Sequence, residues 1–358
     1  MQIKSHAKNY NVNIYNDFGF ISNLKNVDNS LWVIDKKVYE IYKDQLFADI
    51  SEEKLFLIDA LEENKTIETA LNICEVMTAI PAKRNATIIS VGGGIVQDIT
   101  GFASNILYRG VKWQFIPTTL LAACDSCIGG KTSLNYKSYK NLLGTFFAPD
   151  EIHICPDFFK SLSERDFESG LGEVVKFNIL SGHEGMDKIG SCYDKLLQRD
   201  PDTVEEFLRR SLEFKKHFIE EDEFDRGIRV HLNFAHTFGH AFETMSNYEI
   251  PHGTAVAMGT IAANRVSYMR GWMDEKTLKQ AEALLLPIIN IDLRHIDVDM
   301  DKVVSAVRKD KKQVGNTITV VLVKGDDMET VVVNDGTVDE ISEAISYLFG
   351  RLKDNAKD

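Results

Sequence analysis

The run Ala86-Thr-Ile-Ile-Ser-Val91 passes without a break into Gly92-Gly93-Gly94, and a helical stretch opens on the last of these glycines. A short apolar, β-branched run followed directly by glycines and a helix is a strand-to-helix turn, the join from which helix-covered parallel sheets are built. The first N–H groups of such a helix can approach a pyrophosphate with no side chain in front of them. A plain tight turn accounts for the glycines equally well, because Gly-Gly-Gly lacks the fuller G-x-G-x-x-G spacing. Similar apolar runs at 30–35 and 111–116 alternate with helical stretches, so residues 1–155 predict an α/β domain with a parallel sheet covered by helices. From Pro156 the pattern changes to long segments with helical periodicity at 203–218, 228–245 and 254–270, and residues 156–358 predict a mainly α-helical domain. Runs at 317–323 and 328–333 form one expected hairpin, and the polar tail 351–358 is expected to fray. A chain of 358 residues exceeds one ordinary core, so two domains with a cleft between them are expected.

Lys and Arg number 41 against 54 Asp and Glu, a net charge of −13, and no basic run offers a nucleic-acid stripe. Any anion must therefore meet a local basic pocket. The N-terminal residues MQIKSHAKNYN contain no apolar core of a signal peptide, and no stretch reaches the roughly 18 apolar residues of a membrane span. The expectation is a soluble, cytoplasmic protein with reduced thiols, since the five cysteines are odd in number. Cys124 and Cys127 make a lone C-x-x-C with no second pair at ligand spacing.

Several clusters carry possible chemistry. The segment 117–131, Pro-Thr-Thr-Leu-Leu-Ala-Ala-Cys-Asp-Ser-Cys-Ile-Gly-Gly-Lys, follows a strand and brings Asp125 and Lys131 to one loop, with Lys140 and Asn141 nearby. Singly these are ordinary surface residues; together they suit an anion. Glu173 and Lys176 stand three apart on one helical face, the spacing of a common surface ion pair. Arg229, Asn233, His236 and His240 recur every three or four residues, and the opposite stripe of Leu232, Phe234 and Phe238 is apolar, so the polar face is expected to border a cavity. An i,i+4 histidine pair suits zinc, which points to His236 with His240, and His252 is a third candidate; spacing does not choose among the three.

In order along the chain, GGGIVQD, RGV, PTTLLA, DSCIGGK, KNLLG, GLGEVVK, NFAHTFGH and HGTAVA resemble the signatures of the 3-dehydroquinate synthase family, and the resemblance extends from the Asp35 strand to Asp310-Lys-Lys312. It implies a Rossmann-like, NAD-binding domain over residues 1–155, a helical metal- and substrate-binding domain over 156–358, a divalent metal such as zinc, and a homodimer. By motif position the metal ligands become Glu173, His236 and His252, and His240 moves to the substrate phosphate. The implied NAD contacts are Asp35, Glu62, Lys65, Gly93, Gly94, Asp98, Thr118, Thr119, Asp125 and Lys140. The implied substrate side is Lys131, Asn141, Lys176, Lys215, Arg229, Asn233, His240 and Lys312, with Arg109 reaching across from the other subunit. The family reaction oxidises a substrate alcohol, eliminates phosphate, reduces the ketone again, and closes a carbocycle by an aldol step, so NAD is regenerated in every turnover and the enzyme is formally a lyase.

Lys215 and Arg229 match the positions that hold the substrate carboxylate in the family, which favours 3-deoxy-D-arabino-heptulosonate 7-phosphate as substrate, 3-dehydroquinate as product, and a place in the shikimate pathway of aromatic amino acid biosynthesis. The chain departs from the pattern at Gln97 and Leu61 near the expected NAD site, at Cys127, at Asp225, and at Thr254 beside His252. Two enzymatic rivals follow: a related cyclase acting on a heptulose or hexose phosphate, and a metal-dependent NAD dehydrogenase of the glycerol dehydrogenase type, which needs no such cluster of cations.

Overall fold

The computed structural model describes residues 1–80, 85–137, 139–292, 300–309, 318–325 and 327–355. Two compact units result, one formed by Met1–Leu162 with Ile219–Phe224, the other by Ser163–Phe218 with Asp225–Asp358. Among the described residues no helix is long and apolar enough to cross a membrane.

The first unit is built on a seven-stranded sheet. Strands β1 (Gln2–Ile3), β2 (Tyr10–Ile14), β3 (Ser30–Asp35), β4 (Leu55–Ile58), β5 (Thr87–Gly92), β6 (Lys112–Pro117) and β9 (Glu151–Ile154) lie in the order β1-β2-β9-β6-β5-β3-β4. All neighbours are parallel except β1 and β2. Every residue of β5 is buried, which explains why this strand reads as a continuous apolar run rather than an alternating one. The chain leaves β3 outward to β4 and returns to β5 on the other side of β3, so the sheet reverses its direction of winding between β3 and β5. In register, Ile34 pairs with Val91 and Val91 with Ile116. Asp35, Gly93 and Thr118 therefore emerge together at the carboxyl edge, the position where open α/β sheets bind ligands.

The segment after β6 differs from its sequence reading. Asp125 lies in a π-helical turn, Ala122–Ser126, whereas Lys131 opens β7 (Lys131–Tyr136) and Lys140 and Asn141 lie in β8 (Tyr139–Phe146). A separate antiparallel hairpin thus stands where a single loop was expected. Its strands, KTSLNY and YKNLLGTF, carry few β-branched or aromatic residues in alternation, and Asn141 takes φ 52°, so no clean alternation announces it.

In the second unit the helix His252–Met269 is the axis. Residues Gly253–Asn264 are buried without interruption, as a helix apolar on every side must be. Two neighbouring helices press on it through glycines. A Cβ built on Gly172, in the helix Glu164–Leu180, would lie 2.0 Å from the Gly253 carbonyl oxygen, and one on Gly253 would lie 1.7 Å from the Ser169 oxygen. A Cβ on Gly259 would lie 2.4 Å from the Ala235 oxygen, just ahead of the helix His236–Met245. Only glycine permits such backbone approach.

The continuous helix expected over 228–245 is broken. A 3-10 turn covers Ile228–Asn233, and the α-helix begins anew at His236 after Ala235, which is left-handed at φ 71°. The Ala235 carbonyl against Gly259 holds this break. Arg229 and Asn233 are consequently on a different element from His236 and His240, and the single polar helical face does not exist. The hairpin β10 (Ile318–Lys324) and β11 (Glu329–Gly336) is present as the pattern predicts. Over 351–355 the tail is helical rather than frayed: the helix Val338–Asn355 carries Arg351, whose Nε donates to Glu282 Oε2 at 3.0 Å, and it buries Leu352, while 356–358 lie outside the described residues.

Candidate functional site

The second unit gathers a metal-binding set. Ser163 starts the helix Glu164–Leu180 by accepting from the Asp166 N–H, and ten residues further along Glu173 is wholly buried in the unit's interior. Pro251, with no N–H to donate, ends an extended stretch and sets His252 as the first residue of its helix. His236 likewise opens its own helix. The Gly172–Gly253 contact then brings the neighbours Glu173 and His252 together. Glu173 Oε1 lies 3.4 Å from His236 Nε2 and 3.8 Å from His252 Nε2. Ligand atoms about 2.05 Å from one zinc in tetrahedral array would be roughly 3.3 Å apart. One donor atom from each of Glu173, His236 and His252 lies within 4.8 Å of the others.

Glu173 is wholly buried, and neither of its oxygens accepts a hydrogen bond among the described residues. The Lys176 ammonium, 2.6 Å from Oε2 but off the hydrogen-bonding direction, is its charge partner; Lys176 also donates to the Leu232 carbonyl at 3.3 Å and sits 4.5 Å over the Phe177 ring. The i,i+3 pair is therefore buried, not the surface pair its spacing most often means. A buried carboxylate left with bare lone pairs is costly, and a divalent cation among the three donors removes that cost. The donor set fits zinc.

The outer nitrogens of the two histidines are held as well. His236 Nδ1 is 3.0 Å from the Phe234 carbonyl oxygen, and His252 Nδ1 is 3.2 Å from Glu243 Oε2. Glu243 was missed by sequence reasoning, although His236, His240 and Glu243 at i, i+4 and i+7 share one face of the helix. His240 stands close by, its ring 5.6 Å from that of His236 and 6.1 Å from that of His252. Lys215 and Arg229 are buried in the same unit, and Asn233 is half-buried.

The first unit gathers a different set. Lys65 Nζ lies 2.5 Å from Asp98 Oδ2 and donates to Asn141 Oδ1 at 2.6 Å. Ser133 donates to Asp98 through its N–H and hydroxyl at 3.1 and 3.2 Å. Burial raises the Asp98 carboxyl above its ordinary range, and Lys65 and Ser133 oppose the shift. Lys140 pairs with Glu62 at 3.4 Å, and the Asn135 amide donates to Glu62 Oε1 at 2.8 Å. Ser133 and Asn135 were not singled out in the sequence, because the hairpin that carries them was not recognised. Asn141, assigned to the substrate by resemblance, belongs to this cluster.

At the carboxyl edge of the sheet, a Cβ on Gly92 would lie 2.7 Å from Val96 Cγ2 and one on Gly93 3.1 Å from Thr119 Cγ2. The helix Gly94–Ile106 has no side-chain cap, which leaves its first N–H groups for a ligand. Asp35 accepts from the Lys37 N–H at 2.9 Å, and burial raises its carboxyl. These residues fit a dinucleotide: glycines for close approach, a free helix start for a diphosphate and an acid at the end of the neighbouring strand. Gln97, where the family pattern has glycine, donates to the Ser126 carbonyl at 2.7 Å and accepts from the Ser126 hydroxyl at 2.7 Å, tying the helix to the Asp125 turn. Leu61 is exposed, and the thiols of Cys124 and Cys127 are buried against the Leu121 and Ala123 carbonyls. Lys131 and Arg109 are exposed, Arg109 in left-handed backbone at φ 66°. Lys312 lies outside the described residues.

A Glu-His-His set on three helices with its carboxylate buried, and a glycine-lined sheet edge in the other unit, describe a metal- and dinucleotide-type enzyme scaffold. Residues 55–169 match the 3-dehydroquinate synthase N-terminal family and residues 170–313 the C-terminal one. A 3-dehydroquinate synthase of Dictyoglomus thermophilum is 34% identical over 323 residues, covering 90% of this chain and 86% of that protein. One from Clostridium tetani is 41% identical over 254 residues, covering 70% and 68%. Among solved structures, the 2-epi-5-epi-valiolone synthase of Streptomyces hygroscopicus, with NAD and zinc bound, superposes with a TM-score of 0.83 at 27% identity, covering 96% of this chain and 97% of that one. The chain belongs to the 3-dehydroquinate synthase family and is an enzyme acting on a sugar phosphate.

Proposed function

We propose that the chain is a metal- and NAD-dependent cyclase converting 3-deoxy-D-arabino-heptulosonate 7-phosphate to 3-dehydroquinate with elimination of phosphate. The observation that carries this reading is the burial of three cations, Lys176, Lys215 and Arg229, in the unit that also holds the Glu173, His236 and His252 set. A substrate bearing both a carboxylate and a phosphate would offer these side chains charge-assisted hydrogen bonds in a chain whose net charge is −13. When bound, the metal supplies a Lewis acid for a substrate hydroxyl and NAD a hydride acceptor that is restored within the turnover.

Glu173, His236 and His252 would hold the metal. Motif position assigns Lys215 and Arg229 to the carboxylate, His240 to the phosphate, and Asn233, Lys131 and Lys312 to the substrate. Asp35, Glu62, Lys65, Gly93, Gly94, Asp98, Thr118, Thr119, Asp125 and Lys140 serve the dinucleotide in the first unit. This reading takes the first unit as the NAD-binding domain and the second as the metal- and substrate-binding one. It includes a cytoplasmic homodimer in which Arg109 reaches the partner's substrate phosphate, and a step in aromatic amino acid biosynthesis. The likeness to 2-epi-5-epi-valiolone synthase supports a second reading, a related cyclase for a heptulose phosphate without a carboxylate.

A substrate panel separates the two. The first reading expects phosphate release from the heptulosonate phosphate and little from sedoheptulose 7-phosphate; the reverse order establishes the second. Arg229→Ala is expected to lower kcat/KM for the carboxylated substrate by about 10²-fold, the scale of a lost charge-assisted contact to a buried anion. An equal loss on every sugar phosphate would remove Arg229 from the carboxylate.

A further inference from the structure

The two histidines that face Glu173 are oriented by unlike groups. The Phe234 carbonyl accepts and never donates, so its contact with His236 Nδ1 keeps the proton there and makes Nε2 the unprotonated nitrogen. At His252 the partner of Nδ1 is a carboxylate. Its Nδ1 is 3.2 Å from the Glu243 carboxylate, whose side chain is only 15% exposed. Thr254, beside His252, is buried and carries no charge, so it brings no carboxylate to that histidine.

We propose that Glu243 is the positioning residue of the metal site. It fixes His252 in the tautomer that turns Nε2 towards Glu173 and makes that imidazole the stronger donor, without itself touching the metal. The claim rests on Glu173, His236 and His252 being the ligands. A competing arrangement exists, because His240, Glu243 and His252 also offer donor atoms within 4.8 Å of one another. The state of the two carboxylates decides between them. Glu243 already has His252 as partner, whereas among the described residues neither oxygen of the fully buried Glu173 accepts a hydrogen bond. The cation belongs where the lone pairs are bare.

The test is zinc binding to the full chain, read by competition with a chromogenic chelator and by metal content at saturation. Wild-type protein is expected to hold one zinc per chain. Glu243→Gln keeps an acceptor but loses the charge and is expected to bind zinc 10- to 100-fold more weakly, with the same one-zinc stoichiometry. Glu243→Ala should be weaker still, and the melting temperature of zinc-free Glu243→Gln should match that of zinc-free wild type. Unchanged affinity in Glu243→Gln overturns the proposal. So does a fall from two zinc ions to one, which would make Glu243 a ligand of its own site. His240→Ala is expected to change zinc affinity less than threefold, and a loss equal to that of Glu243→Gln selects the competing set. Should Glu243→Ala fail to fold, the isosteric Gln variant decides alone. Glu173→Gln tests the underlying site separately: it should abolish tight zinc binding, and zinc retained there refutes the ligand set itself, whatever Glu243 does.

Discussion

In the first unit, Lys65 meets Asp98 and Asn141, and Ser133 completes the Asp98 carboxylate, so positive and negative charge are matched on the spot. In the second unit, Glu173 has a cation beside it but accepts no hydrogen bond among the described residues, and two imidazoles turn towards it. Both groups are removed from water, yet only one is complete as the chain folds. The contrast separates a polar cluster that shapes a surface for a ligand from one that needs an added ion to be satisfied.

Gly172→Ala should break the comparison most severely. The added methyl meets a backbone carbonyl at 2.0 Å, which no rotamer can relieve, so the helices carrying Glu173 and His252 must separate. The expected cost is about 3 kcal/mol or more, since overpacking a tight contact typically costs 1–3 and here backbone must move. Calorimetry should find zinc affinity reduced at least 100-fold, with NAD affinity altered less than threefold. Lys65→Ala attacks the other cluster. Breaking a fully buried pair costs about 3–5 kcal/mol, and with side chains 8% and 18% exposed the loss here should be about 2 kcal/mol in urea unfolding. Lys65→Ala with Asp98→Asn should recover more than half of it, because the stranded charge is gone. Zinc affinity should stay as in wild type.

His153 offers a smaller, pH-dependent handle on the first unit. Burial lowers its imidazole from the ordinary 6.5 to about 4, and its ring lies between Tyr15 and Gln114. The folded protein therefore holds it neutral, and below pH 6.5 the unfolded chain binds the extra proton. Stability from this group is full above pH 6.5 and falls as pH drops towards about 4, by up to about 1.4 kcal/mol per pH unit. His153→Gln should flatten that slope in melts recorded across the window. Gln97→Gly is the mildest: two hydrogen bonds to Ser126 are lost and a glycine enters a helix, so about 1–2 kcal/mol is expected.

The sheet was legible because β5 and its neighbours are parallel strands, whose buried faces write continuous apolar runs into the sequence. The break before His236 was not. Ala235 carries no glycine-like signal, and its left-handed backbone is held by a contact with Gly259, which lies in another helix and far along the chain. The β7–β8 hairpin hid for a related reason: its polar residues pair with Lys65 and Glu62 from distant segments, so the local pattern reads as loop. Spacing alone left three histidines open as ligands. Motif position selected Glu173, His236 and His252, which the fold draws together, but neither route reached Glu243, whose role depends on where the His252 ring points.

The most direct test follows phosphate and NADH together when zinc-loaded protein with substoichiometric NAD meets 3-deoxy-D-arabino-heptulosonate 7-phosphate. The proposed cyclase releases phosphate in many-fold excess over NAD while no NADH accumulates. NADH rising in step with substrate consumption, or no phosphate release from this substrate, would contradict it.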